Sequence, residues 1–127
     1  MDLSTLAVKD TSVLEITHPV TEEVIEGMSI EFYGPTSDVV RKMTHKKTQI
    51  ALNRISKGKK AAELRADQLE EESIEDSFNR AVGWSGFEMK KKELEFTLEN
   101  WREVMNDFPW LRAQVSEFLS NDGSFLQ

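Results

Sequence analysis

An α+β fold is expected from this chain, on three observations. Its first third alternates apolar with polar residues as half-buried strands do. Its middle and end repeat apolar residues at helical spacing, and glycine and proline punctuate the joins. At 127 residues it reads as one domain: a β-rich part over 1–35, a charged helical part over 36–83 and an aromatic-rich helical part over 84–127.

Val13-Leu14-Glu15-Ile16-Thr17 and Met28-Ser29-Ile30-Glu31-Phe32-Tyr33 both alternate, which predicts a small antiparallel sheet or hairpin. His18-Pro19 through Glu26-Gly27 supply turns and an exposed link, and Gly34-Pro35 closes the second strand. Thr36 or Ser37 then caps a helix, with Asp38 placed to complement its dipole. Val39, Val40, Met43, Ile50 and Ile55 mark one face of it, Lys47 interrupts that face, and Ser56-Lys57-Gly58 ends it. A second helix is expected from about Ala61 to Val82, with Gly83 at its C-cap. Its middle, Asp67 to Glu72, is polar apart from Leu69, so it projects into solvent or is loosely ordered.

The chain then turns through Trp84-Ser85-Gly86-Phe87, and Glu93-Leu94-Glu95-Phe96 alternates as one short strand. Thr97 caps a helix over Leu98–Asp107, whose apolar positions are Leu98, Trp101, Val104, Met105 and Phe108. Pro109 suits the first turn of a last helix, with Leu111, Val115, Phe118 and Leu119 on one face and Asn121-Asp122-Gly123 at its end. Phe125-Leu126 either folds back onto the body or forms a short apolar tail.

The chain has no cysteine, which excludes disulfides, thiolate nucleophiles and Cys-ligated zinc and fits a reducing cytoplasm. No signal peptide is read at the N-terminus, and no apolar run approaches the roughly 20 residues of a membrane helix, so no membrane partner is expected. His18 and His45 lack partners at metal-binding or acid–base spacing and read as exposed histidines without a role. The acidic run Glu70 to Asp76 has no Asx-Gly loop to wrap calcium. No catalytic, cofactor or metal site is expected, and the chain is not read as an enzyme.

Charge is segregated along the chain. Between Arg41 and Lys60 every ionised side chain is basic, whereas Glu63 to Asp76 is acidic apart from Arg65. Nucleic acid is the lesser reading of the basic run: no aromatic is interleaved for stacking, the adjoining acids would repel phosphate, and the net charge is −7. Pairing of basic and acidic faces, within the chain or between protomers, is the expected reason for the segregation. Arg41, Lys46, Lys47, Arg54, Glu70, Glu71 and Glu75 are the candidates for such a face.

All three tryptophans and five of the seven phenylalanines lie between residues 83 and 126. Most should be core. A groove that receives a partner segment is the second reading, with Trp84, Phe87, Trp101, Phe108, Trp110 and Phe118 as its candidate residues.

The order Gly83-Trp84-x-Gly86-Phe87, Phe96-Thr97-x-Glu99-Asn100, Pro109-Trp110-Leu111-Arg112-x-Gln114-Val115 and Phe125-Leu126 resembles the tail assembly chaperones of long-tailed bacteriophages. The resemblance implies a non-enzymatic factor acting in the host cell cytoplasm, without a cofactor. It would coat the long, helical, aggregation-prone tape measure protein, help recruit tail tube subunits, and be absent from the finished virion. It also implies that a programmed frameshift extends a fraction of the molecules, Gln127 then ending the short form. Lys90-Lys91-Lys92 stands where the family would carry an Asp/Asn-Gly turn, which puts a hairpin there in doubt. A homo-oligomer is compatible with this reading. The alternatives are a structural tube, terminator or head–tail joining protein and, less favoured, a nucleic-acid-binding regulator.

Overall fold

Thr11–Thr17 (β1) and Val24–Tyr33 (β2) pair antiparallel in the computed structural model, which describes residues 2–3, 7–56 and 66–126. Both strands are longer than the alternation alone predicts. β2 takes in Glu26-Gly27, because Gly27 adopts a φ of 81° and the register shifts between Glu15 and Thr17. This bulge lets the strand run through what reads as a link. Leu14, Ile16, Ile30 and Phe32 face the core, the last three fully buried. Val13 and Glu15 alternate to the other face and stay exposed.

A third strand, β3 (Ala81–Ser85), completes the sheet in the order β1-β2-β3. It corrects the expected helix end. Helix α2 is described over Ala66–Arg80 and passes directly into β3, so Gly83 is a strand residue and Trp84-Ser85 is not a turn. Pairing Ile30 with Trp84 and, across a bulge at Val82, Phe32 with Ala81 gives this segment a ladder on β2 and buries Ala81. Those long-range gains outweigh continuing a helix through Val82-Gly83.

Helix α1 spans Asp38–Ser56. Ser37 caps it: Val40 N donates to Ser37 Oγ at 3.3 Å, and that hydroxyl donates to Gly34 O at 2.7 Å. Val40 and Met43 are half-buried, but every residue from Thr44 to Asn53 is exposed, so the helix grows out of the body. The expected stop at Ser56-Lys57-Gly58, the expected start near Ala61 and the side chain of Arg54 lie outside the described residues.

Glu88–Met89 (β4) and Lys92–Glu93 (β5) make a two-residue hairpin, so the doubted turn forms. The expected strand over Glu93–Phe96 shrinks to β5, because Leu94 N instead donates to Phe87 O at 2.8 Å and the chain leaves the ladder. Helices α3 (Leu98–Asp107) and α4 (Pro109–Ser120) follow as expected, with Thr97 Oγ1 accepting from Asn100 N at 3.1 Å. A short 3-10 turn, Asp122–Phe125, brings Val8 and Leu126 into a bridge and buries Phe125 completely. Of the two expected outcomes for the C-terminal segment, folding back is the one observed.

The result is two layers, an α+β arrangement with α2, α3 and α4 covering one face of the sheet. Trp101 is at the centre, fully buried, with Phe32 edge-on at 6.1 Å. Its Nε1 donates to Ile74 O at 3.2 Å and to Ser77 Oγ at 3.1 Å. Both acceptors belong to α2, so the helical layer itself satisfies the ring donor that it buries.

Candidate functional site

The six aromatic residues proposed for partner binding divide four ways. Trp101 has no exposed surface, so a direct contact with a partner is closed to it. Phe118 packs on Phe32 at 5.7 Å and Phe125 at 5.2 Å, and serves the closure of the C-terminal segment. Trp84 is half-buried, stacks on Phe87 at 4.5 Å and on Trp101 at 5.7 Å, and donates its Nε1 to Leu94 O at 3.0 Å. It works as a wall between core and surface.

Phe87, Phe108 and Trp110 come together. With Met28, Met89 and Val104 they line an apolar cleft of about 230 Å³ at the side of the molecule. Phe108 and Trp110 meet edge to face at 6.4 Å, and both are half-buried. Phe87 is nearly buried and forms the floor. Two methionines give the lining an adaptable, polarisable surface that suits apolar groups of varied shape.

Local backbone chemistry sets the floor in place. Gly86, at φ 76°, carries the chain from β3 to β4, and a Cβ there would overlap the Gly27 carbonyl oxygen. The β4–β5 hairpin overhangs the cleft through Glu88 and Met89, and its tip is Lys90-Lys91. Both lysines adopt left-handed backbone conformations, φ 53° and 68°, the geometry a tight two-residue hairpin requires. Asn or Gly would reach it with less strain.

A larger cleft, about 470 Å³, lies between α1, α2 and α4. It holds none of the six aromatics. Ile74, Met105 and Val115 line it together with the charged Lys47, Asp76, Arg80 and Arg112, so the smaller aromatic cleft is the better candidate for an apolar partner.

Three of the seven residues expected on the charged face, Lys47, Glu70 and Glu71, are paired inside the chain. Lys47 bonds Glu72 at 3.2 Å and also pairs with Asp76. Glu70 binds the Arg112 guanidinium of α4. Glu71 lies 2.8 Å from Arg102 Nε on α3, a close charge contact rather than an aligned hydrogen bond. The acidic helix therefore faces basic residues on both sides: one on α1 and two in the aromatic third. Sequence reading anticipated the first and missed the second, because Arg102 and Arg112 are isolated cations in their own segments. Arg41, Lys46 and Glu75 remain exposed.

His18 has a structural role that the sequence reading did not give it. Its Nδ1 accepts from Val20 N at 3.1 Å and Thr21 N at 3.3 Å, which organises the β1–β2 turn. Gln114 was missed too: its side chain accepts from Thr17 N at 3.0 Å and donates to Thr17 O at 2.8 Å, tying α4 to the end of β1. Among the described residues no group of three or more His, Asp or Glu side chains converges as metal ligands would. No helix among them is long and apolar enough to cross a membrane. No protein-family model matches the chain, nor does any curated protein or solved structure.

Proposed function

We propose that this chain is a non-enzymatic assembly chaperone for a phage tail, binding the helical tape measure protein, keeping it soluble and helping to bring tail tube subunits to it. The motif resemblance over residues 83–126 supports the family, and the aromatic cleft is the observation that carries the binding role. A long amphipathic helix exposes a stripe of apolar side chains, and a cleft of about 230 Å³ floored by Phe87 and walled by Phe108 and Trp110 accepts one such side chain at a time. Shallow capture of many equivalent positions suits a client that must later be released into the tail. The charged remainder of the surface keeps the complex in solution.

The test is co-expression with the tape measure protein of the same phage. The wild-type chain should raise that protein's soluble yield, and Phe108→Ala with Trp110→Ala should abolish the gain while circular dichroism shows the fold retained. No gain from well-expressed wild-type chain would sink the reading. The alternative, a structural tail or head–tail joining component, draws on the open sheet face and outgrowing helix described below. Mass spectrometry of purified virions separates the two: a chaperone is missing, a structural protein is present in many copies.

A further inference from the structure

We propose that copies of this chain associate head to tail, helix α1 of one copy lying across the outer face of the β1–β2–β3 sheet of the next. The proposal stands apart from the chaperone reading and rests on two unpartnered surfaces of opposite charge. An antiparallel sheet can leave one face to water, but the outer face here carries apolar side chains as well as charge. Here α2, α3 and α4 cover only the inner face.

On the outer face Val13 is 51% exposed, and Val24 beyond the bulge is 54% exposed. Together with Glu15 and Glu26 they line a shallow depression of about 400 Å³, and none of the residues lining it is basic. Glu31, cross-strand from Val13, adds a third carboxylate to this face.

α1 is the complement. Val39 and Ile50 lie eleven residues apart, about three helical turns, and so share one side of the helix, 37% and 39% exposed. Lys46 falls on the same side and Lys42 beside it, both exposed, and after Asp38 the helix contains no acid. Residues 41–60 hold eight of the sixteen cations and no acid, so the rest of the chain sets eight cations against all 23 acids.

The acidic helix α2 is excluded as the receiving surface, since Glu70, Glu71, Glu72 and Asp76 are already paired internally. The sheet of the same chain is excluded as well. The root of α1, at Val40 and Met43, sits over Ile74, Met105 and Val115, on the helical side of the molecule and away from the sheet's outer face. A second copy supplies the matching face. Because the two surfaces differ, the contact is heterologous and repeats from copy to copy into a ring or a filament.

Sedimentation analysis tests this with two charge-reversed chains, Lys42→Glu/Lys46→Glu and Glu15→Lys/Glu26→Lys, all at exposed positions. The wild type should associate with rising concentration, and about tenfold more weakly at high salt. Each variant alone should sediment as a monomer. Mixed in equal amounts, the two should associate again, because each variant retains the surface the other lost and the two reversed surfaces complement each other. A wild type monomeric at every concentration, or a mixture that stays monomeric, overturns the proposal. So does association of Glu15→Lys/Glu26→Lys alone, which would mean a symmetric helix-to-helix contact. Binding of a DNA or RNA duplex by α1 with no self-association would assign the basic face to nucleic acid instead.

Discussion

Lys90 and Lys91 hold backbone conformations that L-residues with a Cβ adopt at a cost of about 1 kcal/mol each. The hairpin they close overhangs the aromatic cleft. Replacing them with Asn-Gly should raise the unfolding free energy by about 1–2 kcal/mol, measured by denaturant titration. An unchanged midpoint would mean the turn is not the tight one described. Gly86 works in the opposite sense: Gly86→Ala adds strain at φ 76° and a clash with the Gly27 carbonyl. A loss of about 2–4 kcal/mol is expected, together with displacement of Phe87 from the cleft floor. Gln114 is satisfied at both ends of its amide by Thr17. Gln114→Leu strands those two backbone groups in a half-buried place and should cost about 1–3 kcal/mol, with faster amide exchange at Thr17 as the local signature.

At the scale of elements, α1 stands out as a helix whose stability does not come from packing. Its inner face is anchored only near the first turns, and Lys47 then reaches α2. Burial works against the Lys47 ammonium, but the hydrogen bonds and charges of Asp76 and Glu72 prevail and raise its pKa above the ordinary 10.5. A raised amine pKa means the pair's contribution is present in full below 10.5 and is lost as pH rises through the raised value. The bridge is partly exposed, so Lys47→Met should cost no more than about 1 kcal/mol at neutral pH. The stability difference between wild type and Lys47→Met should vanish in strongly alkaline solution. A difference that persists there would trace the effect to packing of the lysine stem.

At the scale of the molecule, the core joins segments far apart in the chain through Trp101. Phe32 of β2, Ile74 of α2 and Trp84 of β3 all converge on it. Trp101→Ala should therefore cost about 3–5 kcal/mol and is expected to unfold much of the population in a thermal scan. The segments at Lys9 and Phe125 belong to the same unit: Lys9 N donates to Phe125 O at 2.6 Å, and the Arg80 guanidinium covers the Phe125 ring at 5.1 Å.

Local patterning determined much of this protein. Alternation in β1 and β2, the Ser37 and Thr97 caps, Pro109 at a helix start and the spacing of Trp101, Val104 and Met105 are all visible in runs of a few residues, and each describes a structure satisfied locally. Tertiary structure decided whatever depends on a partner distant in sequence. Ala81–Ser85 became a strand because β2 offered it a ladder, and Lys47 became an ion-pair hub because α2 brought Glu72 and Asp76 to it. The aromatic third, alike in composition throughout, was sorted by packing into a core ring at Trp101, a closing contact at Phe118 and a cleft at Phe87, Phe108 and Trp110. Composition sets how much apolar surface a chain must bury, and only the contacts between distant segments decide which part of it remains open.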